Sequence, residues 1–278
     1  MTRSPLFLCA AQELTVAIRS RWTQTFAIVF TILALAVCWS GYVFSGGSGA
    51  QDFARTAASL VELVVLLIPL AALILGLQAL TPESGGVELL YSQPASRRSI
   101  LLGQLLGVFV GLGAAQLVGF GAAGIVIFAN AGSEGIGVFL MLVAGSLLLT
   151  AAFLAIAAAV ATGSPRRGRA RKLAVALVIW FGATMLFDVA ALGIASFLPS
   201  GRASRLLIAA VIVNPVDAVR TGAAFAAEGT AAFGAASLAF LRFTRGAANG
   251  AALLAASLVL WIVAPAAFAA RRLDRTDL

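Results

Sequence analysis

The sequence has no histidine, two cysteines, three methionines and very little charge: only 11% of its 278 residues are Asp, Glu, Lys or Arg. Each shortage closes a route. Without histidine there is no imidazole base, no catalytic triad built on one, and no histidine-held zinc or haem. Cys9 stands near the N-terminus and Cys38 deep in an apolar run, with no CxxC spacing between them, so a disulfide framework is not supported. Counting glycine and leaving out tyrosine, about 70% of the chain is apolar, where soluble domains have 45–50%. A water-soluble fold is therefore excluded. At about 20 apolar residues per membrane-spanning helix there is room for six or seven spans, but none for a separate catalytic domain of ordinary size.

The long apolar runs predict an all-α polytopic membrane protein forming a single transmembrane unit over 1–278. Its six spans are expected at residues 23–44, 57–80, 100–129, 137–162, 173–198 and 247–270. A seventh candidate, 222–241, is apolar mainly through alanine and phenylalanine, is glycine-rich and carries Glu228; it is placed outside the membrane. The formal charge of +8 comes without a basic stripe interleaved with aromatics, which argues against nucleic acid. Its placement instead orients the chain. With both termini in the cytoplasm, 13 of the 19 Lys and Arg fall inside and six outside.

Three polar segments stand out. Residues 1–22 are too short in their apolar core for a signal peptide and show no A-x-A cleavage site. At helical period, Leu6, Ala10, Leu14, Ala17 and Ile18 share one side, which predicts an amphipathic helix on the membrane surface that turns into the first span. The cytoplasmic loop 81–99 opens with Thr81-Pro82, a helix start, and stops at Pro94. Gly85-Gly86 weakens any helix between them, so this stretch is either a short helix needing a partner or a surface loop. Beyond the fifth span, Asn214-Pro215-Val216-Asp217 also reads as a helix start, with the Asp217 carboxylate near free backbone N–H groups.

Within the spans, Gly103, Gly107, Gly111, Ala115, Gly119 and Ala123 repeat every four residues on one face of the third, where another helix can approach closely. Glu62 and Asp188 lie in the second and fifth spans, where a carboxylate usually faces the bundle interior or water. Asp188 either shares a hydrogen bond with Thr184, one turn away, or belongs to a cargo path or gate. No nucleotide site is found: Gly163-Ser164-Pro165-Arg166-Arg167-Gly168 has phosphate-loop glycine spacing, but Arg169 and Ala170 stand where Lys and Ser/Thr are required.

Together these pieces resemble the permease subunit of a type-2 ABC exporter, and locally the NosY-type permeases that act in copper-site maturation of nitrous oxide reductase. Glu13, Arg19, Arg21 and Trp22 match the family's amphipathic N-terminal helix. Glu83, Gly85, Gly86, Glu88, Pro94 and Arg97 match its ATPase-coupling loop and the start of the third span. Asp188, with Asn214, Asp217 and Arg220, matches its fifth span and outer segment; Val87 and Gln104 depart from its pattern. The resemblance implies a homodimer in the bacterial inner membrane. Two NosF-like ATPases would bind the coupling loops, and a periplasmic NosD-like protein, with a copper chaperone, would act at residues 199–246 through Asn214, Asp217 and Arg220. This chain would bind no cofactor and no metal itself; ATP and magnesium would belong to the ATPase. With so few thiols and thioethers, a soft-metal relay through the spans is hard to build, which favours a sulfur-containing cargo or force transmission. Other readings are a generic exporter of lipid, drug or peptide, a passive scaffold, and an intramembrane enzyme using Glu62 and Asp188.

Overall fold

In the computed structural model, residues 5–43, 50–81, 96–131, 135–163, 168–228 and 235–275 are described. Among them there is no strand. Isolated apolar segments in lipid can satisfy their backbone groups only by closing them internally, and long helices do so. Six helices are long and apolar enough to cross a membrane. They agree with the six expected spans to within a few residues: α2 (Arg21–Val43), α3 (Ala50–Leu80), α4 (Arg97–Ala131), α5 (Ile136–Gly163), a fifth span made of α6 (Arg169–Phe181) and α7 (Phe187–Ser196) joined by a π turn over Gly182–Leu186, and α11 (Ala247–Asp274). Ahead of them runs α1 (Pro5–Arg19), and between the fifth and sixth spans lie α8 (Ser200–Val213), α9 (Pro215–Glu228) and α10 (Ala235–Thr244).

The interior is built on α3 and α5. Over α5 the buried positions run almost without gap from Leu149 to Ala158, the pattern of a helix apolar all round. Around this pair, α4 packs against α5 through Gly124 on Phe139 and Gly113 on Leu147. Phe30, Phe120, Phe139 and Phe128 continue the contact as a chain of edge-to-face rings. In contrast, α2, the fifth span and α11 bury little of their surface and form the rim.

Within 199–246, expected as the outer segment, lies a bent pair of apolar helices. Helices α8 and α9 meet at a 102° bend over Asn214. The bend lies beside Ala183, halfway along the fifth span, and beside Ser257 and Trp261, halfway along α11. The bend thus packs against the middle of both the fifth span and α11. Among the described residues the further apolar helical pair sits at 200–227, while 222–241, which includes the end of α9 and the start of α10, is described only in part.

A helix that ends inside a bundle leaves backbone carbonyls without partners. Here α11 supplies the donors: Ser257 Oγ donates to the Ile212 carbonyl at 2.5 Å and Trp261 Nε1 to that of Val213 at 2.7 Å. On the other side of the bend Asn214 starts α9 as its composition suggests, its Oδ1 accepting the Val216 N–H at 3.1 Å. Where α10 turns into α11 the backbone runs through positive φ at Arg245 (60°) and Gly246 (131°), the latter a conformation glycine adopts without cost from a Cβ.

Candidate functional site

Two regions carry the candidate residues. The first is a charged cluster built around Arg220 of α9. Its Nη1 lies 2.7 Å from Asp188 Oδ2 on α7 and 3.0 Å from Asp217 Oδ1 one turn earlier on α9. Its Nη2 donates to Glu62 Oε2 of α3 at 3.4 Å, and its Nε stands 3.0 Å from Glu62 Oε1 without forming a hydrogen bond. One guanidinium thus ties three helices together. Exposure grades across the site, from 8% for the Asp217 side chain through 26% for Arg220 and 35% for Asp188 to 62% for Glu62.

The cluster also has a fixed frame. Asn214 Nδ2 donates to Asp217 Oδ2 at 2.9 Å and to the Ala183 carbonyl at 2.8 Å. Ala183 belongs to the π turn, a widened turn of the kind that often marks functional positions in helices. Thr184, expected as a partner for Asp188, donates instead to the Trp180 carbonyl at 2.8 Å. Trp180 Nε1 in turn donates to the Leu66 carbonyl at 2.9 Å, close to Pro69, whose missing N–H interrupts the α3 ladder. With all three carboxylates ionised the cluster holds two net negative charges. Among the described residues no group of three metal-ligating side chains is placed to hold a metal.

Glu62 and Asp188 therefore do meet, through Arg220, an arginine assigned by sequence to a separate outer surface. Asn214 and Asp217 are both buried. Their side chains face the spans, so a partner arriving from outside would meet the helices they hold and not these groups.

The second region is the glycine face of α4, which receives α1. A Cβ added at Gly103 would stand 2.7 Å from Cys9 Cβ, at Gly107 2.6 Å from Glu13 Cβ, and at Gly111 2.9 Å from Ala17 Cβ. Further along, Gly119 is closed by the Phe30 ring of α2. The two helices run in the same direction, so α1 lies lengthwise on α4, in a more extensive contact than any other pair of helices makes among the described residues. Arg19, Arg21 and Trp22 are exposed at the junction with α2. There Gln24 Nε2 donates to the Ile18 carbonyl at 3.2 Å, covering one of the free carbonyls at the end of α1.

Glu13 is half-buried in this seat, and burial holds its carboxyl above the usual carboxylate range. The folded chain then binds this proton more tightly than the unfolded one, a cost absent at low pH and fully present above the raised value. Glu13→Gln is expected to raise the thermal midpoint in detergent at about pH 7 and to match the parent near pH 4, where both states are protonated. A difference that stays constant over that range would show that packing, not titration, is responsible.

Of the coupling-loop residues, Glu83, Gly85, Gly86, Glu88 and Pro94 lie outside the described residues. Arg97, at the start of α4, donates from Nη1 to the Leu273 carbonyl of α11 at 3.2 Å. Gln104, where the resemblance would have a basic residue, is buried and donates to the Ala79 carbonyl at the end of α3 at 3.4 Å.

One polar group went unread in the sequence. Gln116 of α4, fully buried, donates from Nε2 to Thr150 Oγ1 at 2.7 Å and accepts from Ser146 Oγ at 3.2 Å. A glutamine at mid-span, opposite a Ser and Thr four residues apart on another span, was the available signal. Such interhelical bonds contribute about 0.6–1.7 kcal/mol in membrane proteins, and this one pins α4 to α5 at mid-length.

The geometry is that of a helical membrane subunit with a close-packed helix rising from one end and a charged, bent-helix assembly towards the other. Residues 8–278 match the family described as ABC-2 family transporter protein. The chain is 32% identical over 221 residues to the probable ABC transporter permease protein NosY of Pseudomonas aeruginosa, covering 76% of this chain and 78% of that protein. It is 31% identical over 227 residues to the protein of the same name from Stutzerimonas stutzeri, with the same coverage. The chain belongs to the ABC-2 family of transporter permeases.

Proposed function

We propose that this permease is the membrane subunit through which a separate NosF-like ATPase drives a step of nitrous oxide reductase copper-site maturation. The step is the transmission of force to a periplasmic NosD-like partner. Two copies of the chain form the membrane unit in the bacterial inner membrane, with both termini in the cytoplasm and the ATPase pair on the coupling loops. ATP and magnesium are bound by the ATPase, not by this chain, and a copper chaperone acts on the periplasmic side.

The observation that carries the reading is the seat of α1 on α4. α4 starts beside the coupling loop at Arg97 and runs as one helix to Ala131. It is held along one face by α1 and pinned to α5 by Gln116. A rod packed in this way moves as a body when its end is displaced, because packed interfaces shift between arrangements and do not deform continuously. The half-exposed acid side of the charged cluster favours a second reading, export of a cargo, a sulfur-containing one or that of a generic exporter, past Glu62 and Asp188.

Replacing Glu83 or Glu88 with arginine is expected to weaken co-purification of the ATPase, and its hydrolysis in the complex, by about tenfold, the effect of about 1.4 kcal/mol. ATPase binding and turnover equal to the parent's would sink the assignment of the loop.

A further inference from the structure

The π turn at Gly182–Leu186 divides the fifth span into halves that are held by different neighbours. On one side Trp180 ties α6 to the Leu66 carbonyl of α3; on the other Asp188 ties α7 to Arg220 of α9. Within the turn the Phe187 N–H reaches back five residues to the Gly182 carbonyl. An α-helix would give that N–H to the Ala183 carbonyl instead, which here is free to accept Asn214 Nδ2 at 2.8 Å. The turn therefore stores one residue more than an α turn, and a single exchange releases it: Ala183 accepts from Phe187 in place of Asn214. Asn214 keeps an acceptor either way, because Nδ2 also donates to Asp217 Oδ2 at 2.9 Å.

The face that α6 now turns inward is poorly suited to its place. Only Lys172 and Ala176 are buried along this helix. Lys172 is 8% exposed and has neither hydrogen bond nor ion pair among the described residues, and a buried charge without a partner is costly. One residue further along, Leu173, Leu177 and Phe181 lie four apart and share a face, an apolar stripe where the present one has Lys172, Ala176 and Trp180. With α7 fixed, passing the stored residue into the α ladder brings each member of that stripe into the place of its predecessor. The move is a turn of about 100° and a slide of about 1.5 Å. Lys172 then takes the exposed position that Arg171 holds now. The bond given up is the one from Trp180 to Leu66.

The geometry points to a joint with two registers in the fifth span: α6 turns and slides by one residue against α3, α7 stays locked to α9 through Arg220, and Asn214 is the catch that holds the present register. Packed helices shift between discrete arrangements of this kind, and a π turn carries the spare residue that such a shift consumes. The half that begins at Arg169 can thus move while the charged cluster stays closed.

The test uses the full chain in detergent, carrying Cys9→Ala and Cys38→Ala, with spin labels at exposed positions: Val178→Cys on α6 or Val189→Cys on α7, each measured against Val259→Cys on α11, the helix that caps α8. No ATPase is present, so the outcome is separate from the function proposed above. Asn214→Ser keeps an oxygen for the Val216 N–H but is too short to hold Ala183. It is expected to move the Val178 label by up to about 8 Å, the chord of about 100° on a helix about 11 Å across, and to leave the Val189 label in place. Deletion of Gly182, where an added Cβ would meet nothing within 4 Å, removes the spare residue. On its own it should leave both distances as in the parent, and it should abolish the response to Asn214→Ser. A Val178 label that stays still in Asn214→Ser, two labels that move together, or a response that survives the deletion overturns the joint. So does a Gly182 deletion that by itself turns the Val178 label.

Discussion

Replacing Arg220 with methionine is expected to cost this permease about 3 kcal/mol of stability, towards the lower end of what removing one partner of a buried ion pair costs. The lower end applies because the Arg220 side chain remains 26% exposed. What fails is not the lost attraction but the remainder: Asp217, almost wholly buried, would face Asp188 with no cation between them. Against a typical total of 5–15 kcal/mol, that loss is large enough to reduce the folded protein recovered from membranes. Arg220→Lys should recover only part, since a point charge on a flexible stem cannot grip three carboxylates from three directions. Adding Asp188→Asn to Arg220→Met should restore stability relative to the single variant, because it removes a charge the methionine leaves uncompensated. The readout is thermal unfolding in detergent for the four combinations of these two positions. Additive effects would show that the cluster does not act as a unit.

The second large effect concerns the other end of the molecule. Gly107→Leu is expected to lift α1 off α4. Even the first added carbon would lie 2.7 Å from the Ala10 carbonyl oxygen and 2.9 Å from the Leu14 nitrogen, backbone atoms that cannot rotate aside as a side chain can. Overpacking of this kind costs about 1–3 kcal/mol, and here the cheapest relief is displacement of the whole helix. The expected signature is protease cleavage before Ser20 in the variant, with the parent protected, together with loss of ATPase stimulation in the complex. Gly121→Leu, on the same helix with nothing within 4 Å, is the matched control and should leave both unchanged. If Gly107→Leu behaves like Gly121→Leu, the seat does not carry the coupling.

What could be read in the chain follows from the range of the forces involved. Span positions depend on local runs of apolar residues, and all six were visible. The α9 start was visible for the same reason, since Asn214, Pro215 and Asp217 act within one turn. The glycine repeat of α4 announced a close neighbour but not which one, because a face of small residues accepts any helix of suitable shape. Charge counting located Glu62 and Asp188 as unusual and Arg220 as merely peripheral. Their meeting depends on a bend that packs against the middle of two spans, and no local pattern reports where a bent pair of helices packs. Gln116 was passed over because a single amide in an apolar run looks tolerable until its partners, 30 and 34 residues on, are known.

The order in which the chain is made bears on the seat of α1. Glu13 leaves the ribosome about 90 residues before Gly107, which at about 5–20 residues per second is an interval of roughly 5–20 s. Throughout that interval the apolar side of α1 has no groove to occupy, while α2 and α3 are already entering the bilayer. The newly made helix must therefore wait at the lipid surface or in the care of the insertion machinery, and it becomes part of the bundle only when the third span arrives to receive it.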